Sequence, residues 1–400
     1  MSPVLDFVLA LAVVVGAAKL GGMAATKLGQ PAVLGELLAG LLLGPSALDL
    51  THRFGSTELE PVLHHLAELG VVVLMFLAGL ETELADLHRA RLPATLAGTL
   101  GAATPVIMAL VVGPLFGLGT EQSVFLGLVL AATSVSISAR TLMELGALRR
   151  PEGVTVLGAA VVDDVLVILG LSVFLALVQG APGDGPVALL MIFGRMGAFF
   201  AVAVALGRWV LPPVLRWAEH QPVSESVAST GVVLMLLFAW LAEAGGGVAM
   251  ITGSFLLGLL LAGQPAGRHI LERLHPVAYT LLVPVFLVNV GLTANLRAFG
   301  GAQVFQIAVL TVVAVVSKLL GCGAGAKLGR MSWRQSLRVG CGMVSRGEVG
   351  LIIATAGRAS GLVSDDLFGV FMVVALITTV VTPLLLKLTF AGDEMGAARA

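Results

Sequence analysis

Charge is what this chain has least of. Asp, Glu, Lys and Arg together make up 12% of its 400 residues, about half the share in an ordinary soluble domain. No water-soluble domain is evident on that composition. The formal net charge is −1, and no long basic or acidic tail is present, so nothing points to nucleic acid or another polyionic partner. Cysteine is nearly absent: Cys322 and Cys341 flank a basic loop, which excludes a disulfide framework and leaves both expected as free buried thiols. The histidines fall mostly in expected loops, such as His52, His64, His65, His88 and His220. They lack ligand spacing on a helix, so no metal-enzyme signature is present and no cofactor is expected. The first apolar segment, VLDFVLALAVVVGAAKLGGMAA, lacks the basic start of a secretory signal and is read as a retained span.

What is there is apolar. The chain is 58% hydrophobic with 50 glycines, and its mean hydropathy is +1.02. This composition belongs to an all-α polytopic membrane protein whose helices pack closely through small residues. At ~20 apolar residues per crossing, about thirteen spans are expected. Their limits are near 4–26, 32–48, 66–85, 94–117, 122–146, 152–178, 187–216, 224–244, 248–264, 271–296, 303–326, 333–359 and 363–390. Connections after odd-numbered spans hold Lys27, Arg89, Arg91, Arg149, Arg150, Arg216, Arg268, Arg273, Lys327, Arg330, Arg334 and Arg338. Those after even-numbered spans hold little beyond Arg53, Arg297 and Arg358. The positive-inside rule then places the N-terminus outside and the C-terminus in the cytoplasm.

An internal echo accompanies the charge alternation. GELLAGLLLGP at 35–45 returns as GSFLLGLLLAG at 253–263, and FLAGLETEL at 76–84 as FLVNVGLTANL at 286–296. Seven spans, an odd number, fit the offset. Spans one to six and eight to thirteen therefore read as an inverted repeat, with span seven as connector. Leu/Gly-rich helices also resemble one another by composition, but the two matches keep both order and near-constant spacing.

Against this background, Asp163 and Asp164 stand inside the apolar run GVTVLGAAVVDDVLVILGLSVFLALV. A charge at the centre of a spanning helix costs roughly 3 kcal/mol, so intramembrane acids are functional candidates by default. Adjacent helical residues point about 100° apart, so the two acids face different partners. Lys318, in VLTVVAVVSKLLGCG, is the only lysine in the middle of a later span and the natural partner for one of them. The competing reading is a buried salt bridge that merely fixes helix packing, for which two acids are one too many. Two segments interrupt the apolar pattern in corresponding places, AATSVSISAR at 131–140 and GMVSRGEVGLI at 342–352. Unwound backbone is tolerated in a membrane where it lines a cavity. There Thr133 and Ser134 can offer oxygens to a cation, or simply satisfy backbone carbonyls, while Arg346 and Glu348 can neutralise exposed helix ends. Glu36 and Asn289 lie close enough to helix ends to reach the interface and rank below the trio. Glu243, Asp184, Asp365 and Asp366 read as loop residues.

With these features in place, the chain resembles the bacterial cation:proton antiporters, particularly the NapA-type Na+/H+ exchangers. The resemblance rests on QPAVLGELLAGLLLGPSAL, LGVVVLMFLAGLE, ATSVSISARTLMELG, GAAVVDDVLVI, FLVNVGL, the Lys318 segment and SRGEVGLI. It implies two crossed broken helices, spans five and twelve, within a core of spans four to six and eleven to thirteen. The implied division is 1–90 and 223–300 as outer, dimerising helices, 91–180 and 301–390 as ion-translocating core, 181–222 as a linker helix and 391–400 as a cytoplasmic tail. It further implies a homodimer in the bacterial inner membrane, with no nucleotide-binding domain. Asp164 would bind the cation or proton, Asp163 would pair with Lys318, and Na+ would sit at Asp164, Asp163 and Thr133. Family members with an Asp-Asp pair and a lysine are generally electrogenic, so electrogenic Na+/H+ exchange, with Li+ as a further substrate, is the expectation. Rival readings are a K+/H+ antiporter on the same scaffold, a sodium-coupled solute carrier, a channel, and an intramembrane aspartyl protease. The protease would need its two aspartates on separate, facing helices.

Overall fold

The computed structural model describes residues 3–28, 30–45, 47–49, 59–82, 89–178, 185–292, 300–347, 349–350, 353–354, 357 and 362–397, and every regular element among them is helical. In chain order these are α1 (Pro3–Lys27), α2 (Ala32–Leu43), α3 (Leu59–Glu81), α4 (Arg91–Val112), α5 (Thr120–Ala131), α6 (Val135–Glu144), α7 (Pro151–Val178) and α8 (Gly185–Trp209). They continue with α9 (Leu211–Glu219), α10 (Ser226–Trp240), α11 (Met250–Leu261), α12 (Pro265–Val277), α13 (Val283–Leu292), α14 (Gly301–Leu328), α15 (Trp333–Gly342) and α16 (Asp365–Ala397). Two π-helical turns, Leu241–Gly246 and Ala278–Leu282, follow α10 and α12.

Among the described residues, nine helices are long and apolar enough to cross a membrane, one of them running through α5 and α6, and the pair α8/α9, bent by 42°, makes a tenth. Three further expected segments hold shorter helices: α2 and α11 have 12 residues each and α15 has 10. All four tryptophans, Trp209, Trp217, Trp240 and Trp333, are exposed. Three of them stand at the first or last residue of a helix, where amphipathic rings anchor spans at a membrane interface.

Several local expectations are corrected. The helix expected from 66 begins at Leu59, so His64 and His65 lie on α3 rather than in a loop. Glu243 sits in a π-helical turn, and Asp365 and Asp366 open α16. His52, His88, Arg53, Asp184, Arg297, Arg358 and Glu348 lie outside the described residues.

Packing divides the helices into two groups. α4 runs against α14, α7 and α5, and α14 also carries α15 and α16; α3 lies on α11, α2 on α1 and α13, and α10 on α11. The second group brings the echoed segments together as a swapped contact. A side chain at Gly79 would collide with Phe255 and Gly258 of α11, and one at Gly291 with Leu37 and Gly40 of α2. Gly40 and Gly258 hold equivalent places in the two echoed segments. The backbones meet there because no Cβ intervenes.

Candidate functional site

The site is organised by α7. Its Leu and Ala favour a helix and its Val and Ile are held in one by burial, and it opens on Pro151 with Glu152 in the first turn. Glu152 Oε1 accepts from Arg338 Nη1 at 2.7 Å, and Arg338 also donates to the Thr389 carbonyl at 3.0 and 3.2 Å. This buried clamp joins the start of α7 and the middle of α15 to α16.

Halfway along α7, Asp163 is fully buried and receives Lys318 Nζ at 2.8 Å from Oδ1. Lys318 is itself fully buried on α14. Its ammonium passes 3.6 Å from where a Cβ would stand on Gly101 of α4, so glycine leaves the lysine room to cross toward α7. Asp163 Oδ2 makes no hydrogen bond to a described residue. Asp164, one residue and about 100° further round the helix, faces another element: Thr252 Oγ1, in the first turn of α11, stands 3.5 Å from its Oδ2. The neighbouring acids thus address different helices, one in each packing group.

The second component is a crossing of interrupted helices. Ala132–Ser134 separate α5 from α6, and the chain leaves helical geometry again over Met343–Gly347 after α15. The breaks are bonded to each other. Ser134 donates its backbone N–H to the Ser345 carbonyl at 2.9 Å, Ser345 returns its hydroxyl to the Ser134 carbonyl, and Ser138 donates to the Gly342 carbonyl. Arg346 supplies the charge that an interrupted helix end requires. Its Nη1 donates to the carbonyls of Met343 and Val344 at 3.1 and 2.6 Å, and its Nη2 to Ala314 of α14 at 2.8 Å. The Met343 and Val344 carbonyls lie at the negative end of α15 inside an apolar interior, where an unpaired acceptor costs ~1–3 kcal/mol.

Of the expected site residues, the structure brings Asp163 and Lys318 into contact and joins Ser134 to the segment carrying Arg346. Thr133 is buried and spends its hydroxyl on the Ala131 carbonyl, 3.3 Å away. Glu348 lies outside the described residues. Sequence reasoning overlooked Thr252, because a threonine near a helix start carries no signal of its own. It also misplaced Glu36, which is only 3% exposed rather than interfacial. Asn289 is half-buried, with Nδ2 3.4 Å from His64 Nδ1.

A cleft of about 130 Å³ reaches this crossing from one side. His64, Glu68 and Asn289 stand near its mouth, and Ser134, Arg346 and Thr379 at its depth. Neither Asp163 nor Asp164 is among its lining residues. The mouth lies at the start of α3 and the end of α13, away from the face where Arg89, Arg149 and Arg330 converge on one cavity.

The sodium/hydrogen exchanger transmembrane family profile matches residues 9–392. The chain belongs to that family. Among family relatives, the chain is 38% identical over 389 residues to the Na(+)/H(+)-K(+) antiporter GerN of Bacillus cereus, covering 97% of each protein. It is 34% identical over 384 residues to a Na(+)/H(+) antiporter of Enterococcus hirae, covering 96% of this chain and 98% of that one. Its fold is similar to that of the sodium proton antiporter MjNhaP1 from Methanocaldococcus jannaschii at pH 8, with a TM-score of 0.69 and 17% identity over 98% of both chains. As a member of this exchanger family the chain is a multi-pass membrane cation/proton antiporter, not an enzyme.

Proposed function

We propose that this antiporter exchanges Na+, and Li+ as a further substrate, for H+ electrogenically by alternating access, with Asp164 as the shared carrier of cation and proton. The observation that carries the reading is the buried Asp163–Asp164 pair in the middle of α7, one acid held by Lys318 and its neighbour turned toward α11. A carboxylate withdrawn from water must be neutralised by whichever cation reaches it. Protons and Na+ therefore compete for one group, and competition for one site gives antiport. Asp163 is committed to Lys318 when Asp164 carries a proton. Arrival of Na+ draws Asp163 in as a second carboxylate, with oxygens of the break at Thr133 completing the coordination. Lys318 then loses its partner, and a proton released from it makes the exchange two protons per Na+.

In this reading α4 to α7 and α14 to α16 form the moving core, and α1 to α3 and α10 to α13 form outer helices through which two copies of the chain dimerise. The core rocks against them. The basic loops face the cytoplasm, which makes the cleft at His64 and Glu68 the external route. A second reading, K+ as the exchanged cation, is favoured by the K+ in the name of the 38% identical relative. A carboxylate site separates Na+ from K+ by size and hydration.

The test is reconstitution into liposomes with a pH-sensing dye, adding Na+, Li+ and K+ in turn to the protein and to Asp164→Asn. Proton flux driven by Na+ and Li+, lost at least a hundredfold in the variant, is expected. Undiminished flux in Asp164→Asn removes this residue as carrier, and flux with K+ alone selects the second reading.

A further inference from the structure

On the side of the crossing away from the cleft, α6 is fastened to α2 and to the π-helical turn after α12. Tyr279, the only tyrosine in the chain, stands in the π-helical turn Ala278–Leu282, a distortion that concentrates at functional places in helices. The Arg140 guanidinium of α6 lies 4.3 Å from the Tyr279 ring centroid, and His275 stacks on that ring at 4.2 Å. The Tyr279 hydroxyl donates to Met143 Sδ of α6 at 3.3 Å. Glu144, at the end of α6, accepts the Val33 N–H of α2 at 3.4 Å. It stands 2.8 Å from Arg140 Nη2, an ion pair not aligned for a hydrogen bond.

Beyond Glu144 Oε1, which has the Arg140 ion pair, two buried atoms in this cluster have no hydrogen-bond partner among the described residues: Arg140 Nε and Glu36 Oε2. One is a cationic donor, the other a carboxylate acceptor, and Arg140 is the cation that acts most strongly on Glu36. Buried polar groups are almost always paired. A buried donor and a buried acceptor left over in one cluster therefore fit a pair that forms when the helices are arranged differently.

We propose that Arg140 is a two-position latch. Over Tyr279 and beside Glu144 it closes the route from the basic face to the crossing. When the core moves, the guanidinium leaves the ring for Glu36 and the route opens. Tyr279 positions Arg140 in the closed arrangement and Glu36 holds it in the open one, so all three govern which side of the membrane the carrier sees. The inference rests on the alternating-access reading above, but not on which residue carries the ion.

The test is labelling of Thr141→Cys, a fully buried neighbour of Arg140 on α6, in a Cys322→Ser, Cys341→Ser background. A membrane-impermeant maleimide is applied to inside-out vesicles. Arg140→Ala and Tyr279→Ala should each raise the labelling rate at least tenfold, while Tyr279→Phe, which keeps the ring, stays within twofold. Glu36→Gln should lower labelling under an imposed Na+ gradient at least threefold, because the open arrangement loses its partner. Arg140→Lys, which keeps the charge without the planar stack, should fall between and serves if the alanine variant folds poorly. Unchanged labelling in Arg140→Ala and Tyr279→Ala overturns the latch, as does Tyr279→Phe opening the route as far as Tyr279→Ala. The same labelling in Asp164→Asn reads the latch without exchange, so the latch and the Asp164 carrier fail separately.

Discussion

Lys318 Nζ meets Asp163 Oδ1 at 2.8 Å with no exposed surface on either side chain. Two charges withdrawn from water at this depth are tolerated only together. Removing one partner from a buried pair costs about 3–5 kcal/mol, whereas replacing both with neutral groups of similar size is often harmless. Lys318→Ala and Asp163→Asn should each lower thermal stability in detergent by that order, and Asp163→Asn with Lys318→Gln should recover most of it. If the pair also moves charge during transport, the double variant will still exchange Na+ for H+ but with a weaker response to a clamped membrane potential. A loss in the double variant equal to the sum of the two single losses would show the two residues to be uncoupled.

Thr252 offers a narrower test of which way Asp164 faces. Its hydroxyl lies 3.5 Å from the carboxylate, at the long limit of a hydrogen bond. Thr252→Val preserves shape and removes only the hydroxyl, so stability should change little. The apparent KM for Na+ should rise about threefold, the size of one weak hydrogen bond to a charged group. A loss of stability with unchanged KM would make the threonine a packing residue instead.

Arg346 holds together the end of α15, the break that follows it and α14 through carbonyls on each. Arg346→Ala leaves buried acceptors without donors and should cost about 3 kcal/mol, measured as a fall in thermal stability. Arg346→Lys should recover about half, because one compact ammonium cannot span the Val344 and Ala314 carbonyls that the planar guanidinium reaches at once. Full recovery by lysine would mean that charge alone, rather than the two-sided geometry, stabilises the break.

Much of this arrangement was legible in the sequence because the bilayer leaves few options. A carboxylate pair in an apolar run has to be buried and compensated, and Lys318 was the only lysine in the middle of a later span. The breaks near 131–134 and 343–347 were readable from clustered Ser, Thr and Gly where leucine and valine would otherwise continue. What remained hidden depends on neighbours far away in sequence. Thr252 matters only because α11 passes Asp164. Glu36 looked interfacial until α1, α2 and α6 closed around it. The π-helical turn at Tyr279 follows from no local rule of composition. The lengths of α2 and α11 were overestimated because hydropathy reports where a chain is apolar, not where its helix stops.

A structural repeat of the echoed segments requires two distant substitutions to behave alike. Gly79 packs on Phe255 and Gly258, and Gly291 packs on the equivalent Leu37 and Gly40. Alanine at either place has no room, and overpacking costs typically ~1–3 kcal/mol. Gly79→Ala and Gly291→Ala should therefore lower thermal stability by similar amounts. Gly16→Ala and Gly194→Ala, where a methyl meets nothing within 4 Å, should be neutral or stabilise by up to ~1 kcal/mol through the helix preference for alanine. The comparison is made by thermal unfolding in detergent on all four variants. If the first pair differs from each other as much as it differs from the controls, the swapped contact is not a shared structural element, and the two halves owe their likeness to composition.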